Sequence, residues 1–212
     1  MTELSPALVR RLPRYFRTLI KFYANGKERI SSDELAGEMG LVPSQVRTDL
    51  NAIGCSGQRS YGYGIPTLYK KIADILQLSD KFTAVIVGSG DIVRAISKTE
   101  VFTRRGIKLG AVFTEENETD CYDAPLCTEY SLNAFSLYFK SASPDIVILG
   151  GDCASSEVIS YLENQKNEAA ALPEIWNFSS DDVNSDILTV KNIHLADYVM
   201  LLCYEAGKTK KD

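Results

Sequence analysis

The chain has 212 residues, 45% hydrophobic and 24% charged, which is the balance of an ordinary globular protein and excludes a disordered one. Its longest apolar runs, IVILGG and VMLLCY, fall far short of the roughly 20 residues that span a bilayer. No membrane association is expected. The net charge of −5 is unevenly shared: residues 1–80 hold 11 Lys and Arg against 8 Asp and Glu, while residues 81–212 hold 12 against 20. A basic front on an acidic body points to nucleic-acid contact by the front. The N-terminal MTELSPALVRRLPRYF has arginines but no apolar stretch, so no secretory leader is expected. Five cysteines (Cys55, Cys121, Cys127, Cys153, Cys203) lack paired spacing, which suits a reducing cytoplasm and gives no metal site.

Taken in chain order, residues 7–25 show helical periodicity. Leu8, Leu12, Tyr15, Phe16, Leu19, Ile20 and Tyr23 form one stripe, with Arg10, Arg11, Arg14, Arg17 and Lys21 largely off it. ISSDELAGEMG follows, where Ser31 and Glu34 make a capping box and Gly40 ends the helix. The third helix, PSQVRTDLNAI, starts with Pro43 in its first turn and turns Val46, Leu50 and Ile53 inward. Ser44, Gln45, Arg47, Thr48 and Asn51 then point outward. Two helices, a short turn and a polar helix form the helix-turn-helix pattern, whose last helix enters a major groove. GCSGQRSYGYGI reads as a β-hairpin wing with Gln58 and Arg59 at its tip and Tyr61 beside it. Arg47 would read a guanine edge or grip a phosphate, and Arg59 would reach the minor groove. The competing reading is a three-helix interaction module with a solvated polar helix.

Residues 65–78 read as an amphipathic linking helix, and β–α alternation then begins. Strands are expected at 83–87, 106–114, 145–151, 174–178 and 187–190, and helices at 91–105, 131–140, 155–165 and 193–204. The acidic EENETDCYDAPL reads as a solvated loop. Continuous apolar strands between helices predict a parallel sheet covered on both faces. The fold class is therefore α/β: an N-terminal winged helix-turn-helix (1–78), a Rossmann-like domain (79–192) and a closing helix with a tail (193–212).

TAVIVGSGDIV, residues 83–93, is a strand running through a glycine turn into a helix. Gly88 and Gly90 occupy two positions of the G-x-G-x-x-G dinucleotide fingerprint, while Val93 takes the third. Ser89, Asp91 and Ile92 complete the turn, over which a pyrophosphate sits at a helix N-terminus. Asp91 would repel it, or cap the helix and fill the anion site from within. Val93 would thicken the contact of strand and helix unless small neighbours absorb it. A catalytic role is not expected, because the one histidine opens the last helix and little chain remains for a substrate domain. An NAD-dependent oxidoreductase and a nucleotide-binding module without DNA binding remain as alternatives. Cys55 and Cys153 are candidate sensor thiols, with an inert thiol as the competing reading.

RRLPRYFRTL, ISSDELA, QVRTDL and the GYG of the wing resemble the Rex family of redox-sensing transcriptional repressors. Further along, IWNFSSDDVN and NIHLADYVMLLCY resemble its closing segments. The resemblance implies a homodimer with paired winged helices on double-stranded, palindromic operator DNA. It also implies a Rossmann domain that senses NADH against NAD, and a C-terminal helix exchanged between subunits. Against the family pattern, Thr48 replaces a lysine and Asn51 a serine, and Asp91 stands where asparagine is common. Thr99 replaces a tyrosine near the nicotinamide, Thr114 the aspartate that binds the adenosine ribose, and His194 an aspartate of a redox-linked latch. The expectation is a Rex-like repressor with a degenerate NAD(H)-type sensor domain, with an NADH/NAD+-responsive redox sensor of full cofactor binding as the alternative.

Overall fold

In the computed structural model, the described residues are 4–57, 61–78, 82–115, 128–151, 155–167 and 171–209. They form two compact units, Met1–Ser79 and Asp80–Asp212. The first unit contains helices α1 (Pro6–Ala24), α2 (Ser32–Met39), α3 (Pro43–Ala52) and α4 (Ile65–Ile75). Two short strands, β1 (Arg29–Ile30) and β2 (Tyr63–Gly64), pair antiparallel. The expected capping box is present: the Ser31 hydroxyl accepts from the Glu34 N–H and the Glu34 carboxylate accepts from the Ser31 N–H. Lys27 also pairs with Glu34, and the bonds from Lys27 and Ser31 pull its pKa down to about 2. Gly40 ends α2 in the left-handed conformation. Leu12, Tyr15, Leu19, Leu35, Met39, Val46, Leu50, Leu68 and Ile72 form one buried core. Ile20 and Tyr23, placed on the inward stripe by periodicity, are instead 39% and 59% exposed.

The segment read as a hairpin pairs differently. Tyr63 and Gly64 bond to Arg29 and Ile30, across α2 and α3, and not to residues 54–57. Glycine at 62 is demanded there, since φ is +65° and a Cβ would lie 2.4 Å from the Ile30 carbonyl oxygen. Gln58 and Arg59 lie outside the described residues.

The second unit is a six-stranded sheet built from β3 (Phe82–Gly88), β4 (Ile107–Thr114), β5 (Thr128–Ser131), β6 (Ile146–Gly150), β7 (Glu174–Asn177) and β8 (Val190–Asn192). Every pairing is parallel, in the order β5-β4-β3-β6-β7-β8. That is the doubly wound dinucleotide order, with its switch point between β3 and β6. Helices α5 (Gly90–Lys98), α6 (Phe135–Ala142) and α7 (Ser155–Asn164) connect it, and α8 (Leu195–Thr209) follows. One buried cluster sets Val93 and Ile96 of α5 against Ile86, Val112 and Ile148, and the other gathers Phe113, Phe135, Phe139, Val158 and Leu162. The sheet is thus apolar on both faces, as its continuous runs predict. Strand β5 was not expected from sequence. The last strand starts at Val190, where the one expected at 187–190 ends, and the helix from Gly90 stops at Lys98, with a single 3₁₀ turn at Thr103–Arg105.

Candidate functional site

In the first unit, Ser44, Arg47, Thr48 and Asn51 are exposed on α3, and their three- and four-residue spacing aligns them on one face. The Arg47 guanidinium donates to the Ser32 hydroxyl at 3.0 Å, and the Thr48 hydroxyl donates to the Ser44 carbonyl at 3.0 Å. Gln45 departs from the outward reading. It is half-buried, and its amide donates to Asp49 at 2.8 Å.

Asp49, which sequence reading passed over, organises this helix. Its carboxylate is 3% exposed and accepts from Arg11 Nε at 2.8 Å and Nη2 at 2.7 Å, Tyr15 Oη at 3.1 Å and Gln45 Nε2 at 2.8 Å. Burial pushes its pKa up, but the bonds from Arg11, Gln45 and Tyr15 outweigh that and hold it below the usual carboxylate value. The same pair raises the Arg11 pKa, while burial first, and the Asp49 charge next, raise that of the Tyr15 phenol. The signal lay in the stripe Val46, Asp49, Leu50, Ile53, where an acid holds an inward position. Just before β2, Tyr61 is 71% exposed, with the Arg29 guanidinium 5.9 Å from its ring centroid. Arg29 Nε also donates to the Tyr61 carbonyl at 2.8 Å. Cys55 is half-buried, and burial raises its thiol pKa, against the needs of a thiolate sensor. Cys153 lies outside the described residues.

In the second unit, the glycine turn lies at the switch point. Gly88 has φ +133°, and a Cβ there would sit 1.7 Å from the Gly150 carbonyl oxygen; the Ser89 N–H donates to that same oxygen at 3.2 Å. Gly90 has φ +82° with open space where its Cβ would be. The turn therefore passes tightly over β6 and leaves the Gly90 backbone accessible. Val93 is fully buried, and a Cβ on Gly150 would lie 2.8 Å from its Cγ2. The glycine missing from α5 is thus offset by one on β6, and the turn keeps its course.

Asp91 does not cap α5. Ser89 holds the N-cap position without a side-chain bond to the helix, and Asp91 is exposed in the first turn. The anion site is not filled by the Asp91 side chain acting as a cap, and Ile92, 40% exposed, flanks it. These residues fit the pyrophosphate of a dinucleotide: an accessible glycine backbone, a helix N-terminus without a side-chain cap, and one opposing but solvated carboxylate. Thr114 ends β4, is 3% exposed, and donates to Glu129 Oε1 at 3.1 Å. Thr99 closes α5 at its C-cap.

At the carboxyl ends of β6 and β7 a cleft of about 550 Å³ is lined by Gly151, Ser155, Ser156, Ser179 and Asp182 among others. Beside it, His194 Nδ1 lies 2.9 Å from the Ser179 carbonyl oxygen and Nε2 lies 2.7 Å from Asp182 Oδ1. Both partners are acceptors, so the imidazolium satisfies both, and the Asp182 bond leads in raising the His194 pKa. No three His, Cys, Asp or Glu side chains among the described residues are grouped to hold a metal ion. No described helix is long and apolar enough to cross a membrane.

Comparison with known proteins gives a consistent result. Residues 3–51 match the family model described as "Putative DNA-binding protein N-terminus". The redox-sensing transcriptional repressor Rex of Caldicellulosiruptor saccharolyticus is 34% identical over 207 residues, covering 97% of this chain and 93% of that protein. Rex of Clostridium botulinum strain Alaska E43 is 33% identical, covering 96% and 95%. Among solved structures, RSP in complex with beta-NAD+ and operator DNA superimposes with a TM-score of 0.82 at 30% identity, covering 99% of this chain and 95% of RSP. RSP in complex with beta-NADH gives 0.79 at 28% identity, covering 99% and 97%. With its helix-turn-helix unit, its doubly wound sheet and this similarity over nearly its whole length, the chain belongs to the Rex family of redox-sensing transcriptional repressors.

Proposed function

We propose that this protein is a non-catalytic, cytoplasmic repressor that binds operator DNA as a homodimer and responds to NAD(H) through a weakened dinucleotide site. The observation that carries the DNA reading is the exposed Ser44, Arg47, Thr48 and Asn51 face of α3, held by the Asp49–Arg11 clamp. On this reading Arg47, released from Ser32, contacts a base edge or phosphate, and Tyr61 and Arg59 approach the backbone beside it. Gln45 works from behind, through Asp49. The dimer reading rests on α8, where every side chain from Leu195 to Ala206 is exposed, including Leu195, Tyr198, Met200, Leu202 and Tyr204. A helix that exposes the unbroken apolar run Tyr198–Tyr204 belongs against a partner, as subunit exchange supplies.

Gly88, Ser89 and Gly90 would hold the pyrophosphate, with Val93 packing the turn from below and Thr114 near the ribose. The bound dinucleotide supplies redox state as a signal; the chain's own residues only bind and orient it. Asp91 sets the weakness. Two negative charges about 4 Å apart repel by roughly 1 kcal/mol in water and up to about 4 kcal/mol in a surface-like dielectric. Fluorescence anisotropy with a labelled duplex carrying the RSP operator tests the DNA reading. Binding that weakens with salt, and weakens further in Arg47→Ala, is the expected result. No binding at any salt contradicts it.

A further inference from the structure

The carboxylate expected at the end of β4 is absent, yet a carboxylate stands in that place. Strand β5 pairs with β4 so that Glu129 lies opposite Val112 and Ser131 opposite Thr114. Paired residues of a parallel ladder share a face, and Val112 packs in the cluster that includes Val93 and Ile96 of α5. Glu129 is therefore on the α5 face, and its long side chain reaches forward to the Thr114 hydroxyl at 3.1 Å. Val87 stands opposite Phe113 in the β3–β4 register, so Gly88 of the turn is beside Thr114. Glycine turn, strand end and carboxylate thus share one corner of the sheet. Among the described residues Thr114 is the only hydrogen-bond partner of Glu129, which leaves its Oε2 with acceptor capacity. Glu115, the nearer acid in sequence, is exposed beyond the end of β4.

We propose that Glu129, delivered by the neighbouring strand and oriented by Thr114, is the specificity-determining carboxylate that accepts the adenosine ribose hydroxyls and selects an unphosphorylated dinucleotide over its 2′-phosphate. The inference rests on the dinucleotide reading above. Its chemistry is that of the dinucleotide fold in general: a ribose diol donates two hydrogen bonds to an acid at the end of the second strand, and a 2′-phosphate is repelled there. Here the acid comes from the third strand, and the second contributes only a hydroxyl that fixes one carboxylate oxygen. Thr114 is a positioning residue.

NADH and NADPH binding to the full-length protein, followed by cofactor fluorescence with melting temperatures as the check on folding, tests this. Glu129→Gln loses a charge-assisted pair, so NADH binding weakens about tenfold, while NADPH binding, relieved of the repulsion of its 2′-phosphate, tightens, and the preference for NADH narrows. Glu129→Asp, which keeps the charge and shortens the reach, falls between and serves if the amide variant does not fold. Thr114→Asp sets a second carboxylate against Glu129 and weakens NADH binding, although by family pattern it restores the missing acid. Glu115→Gln binds as the parent does. Parental NADH affinity in both Glu129 variants, tighter binding in Thr114→Asp, or the loss appearing in Glu115→Gln overturns the role of Glu129 and leaves the dinucleotide reading standing. A parent protein that shows no saturable NADH binding overturns both.

Discussion

Removing the Asp49 carboxylate leaves Arg11, Tyr15 and Gln45 with donors aimed at nothing. Loss of one partner of a buried ion pair costs about 3–5 kcal/mol, and the partial exposure of Arg11 (28%) reduces that toward 2–3 kcal/mol. Asp49→Ala should therefore lower the melting temperature by about 10 °C, and should weaken DNA binding without touching an exposed residue of α3. A melting temperature equal to the parent's would show that the clamp is idle. The Asp49 pKa lies below its unfolded value near 3.8, so its contribution holds above that pH and is lost as pH falls through the folded value. His194 runs the other way. Its pKa is raised above 6.5, so its hold on Ser179 and Asp182 is complete below that value and lost as pH rises through the folded one. As the chain's only histidine, it gives a single imidazole Hε1 signal in a proton NMR titration, and the midpoint should lie above 6.5. A midpoint at or below 6.5 contradicts the contact.

Each helix was legible where its local chemistry closes on itself. The Ser31–Glu34 capping box, the left-handed Gly40 and the Pro43 start of α3 are all written in short spacings. Strand β5 was not, because Thr128–Ser131 is short and polar and carries no apolar run against the EENETDCYDAPL background. The carboxylate it brings to Thr114 was invisible with it. Strand β2 is hidden from sequence for a related reason: its partner is 33 residues earlier at Ile30↔Tyr63, beyond any hairpin rule. The room for Val93 is likewise non-local, since Gly150 on β6 supplies it. Among the described residues of the first turn of α5, Asp91 is the one acid, so Asp91→Asn should tighten NADH binding by roughly fivefold or more, the counterpart of at least about 1 kcal/mol of relieved repulsion. Unchanged affinity would mean that solvent already screens the exposed carboxylate.

Across the whole molecule, a basic helical unit and an acidic sheet unit make up this Rex-family chain: one carries the exposed polar face of α3, the other the glycine turn at the switch point and a closing helix rich in exposed apolar side chains. If α8 completes a dimer, Leu201→Glu with Met200→Glu should convert a dimer to monomers in sedimentation, and operator affinity should fall with it. A dimer that persists would place the interface elsewhere. Thr48→Lys should restore a phosphate contact and steepen the salt dependence of DNA binding by about one unit in log–log slope per subunit. The central claim is that DNA binding by the first unit answers to a dinucleotide held by the second. It is tested most directly by anisotropy of the RSP operator duplex at fixed salt while NADH is titrated to millimolar concentration, with NAD+ in a parallel series. Salt-sensitive binding that NADH reverses at high concentration and NAD+ leaves in place is the expected result. Operator affinity that is the same with and without NADH would contradict it.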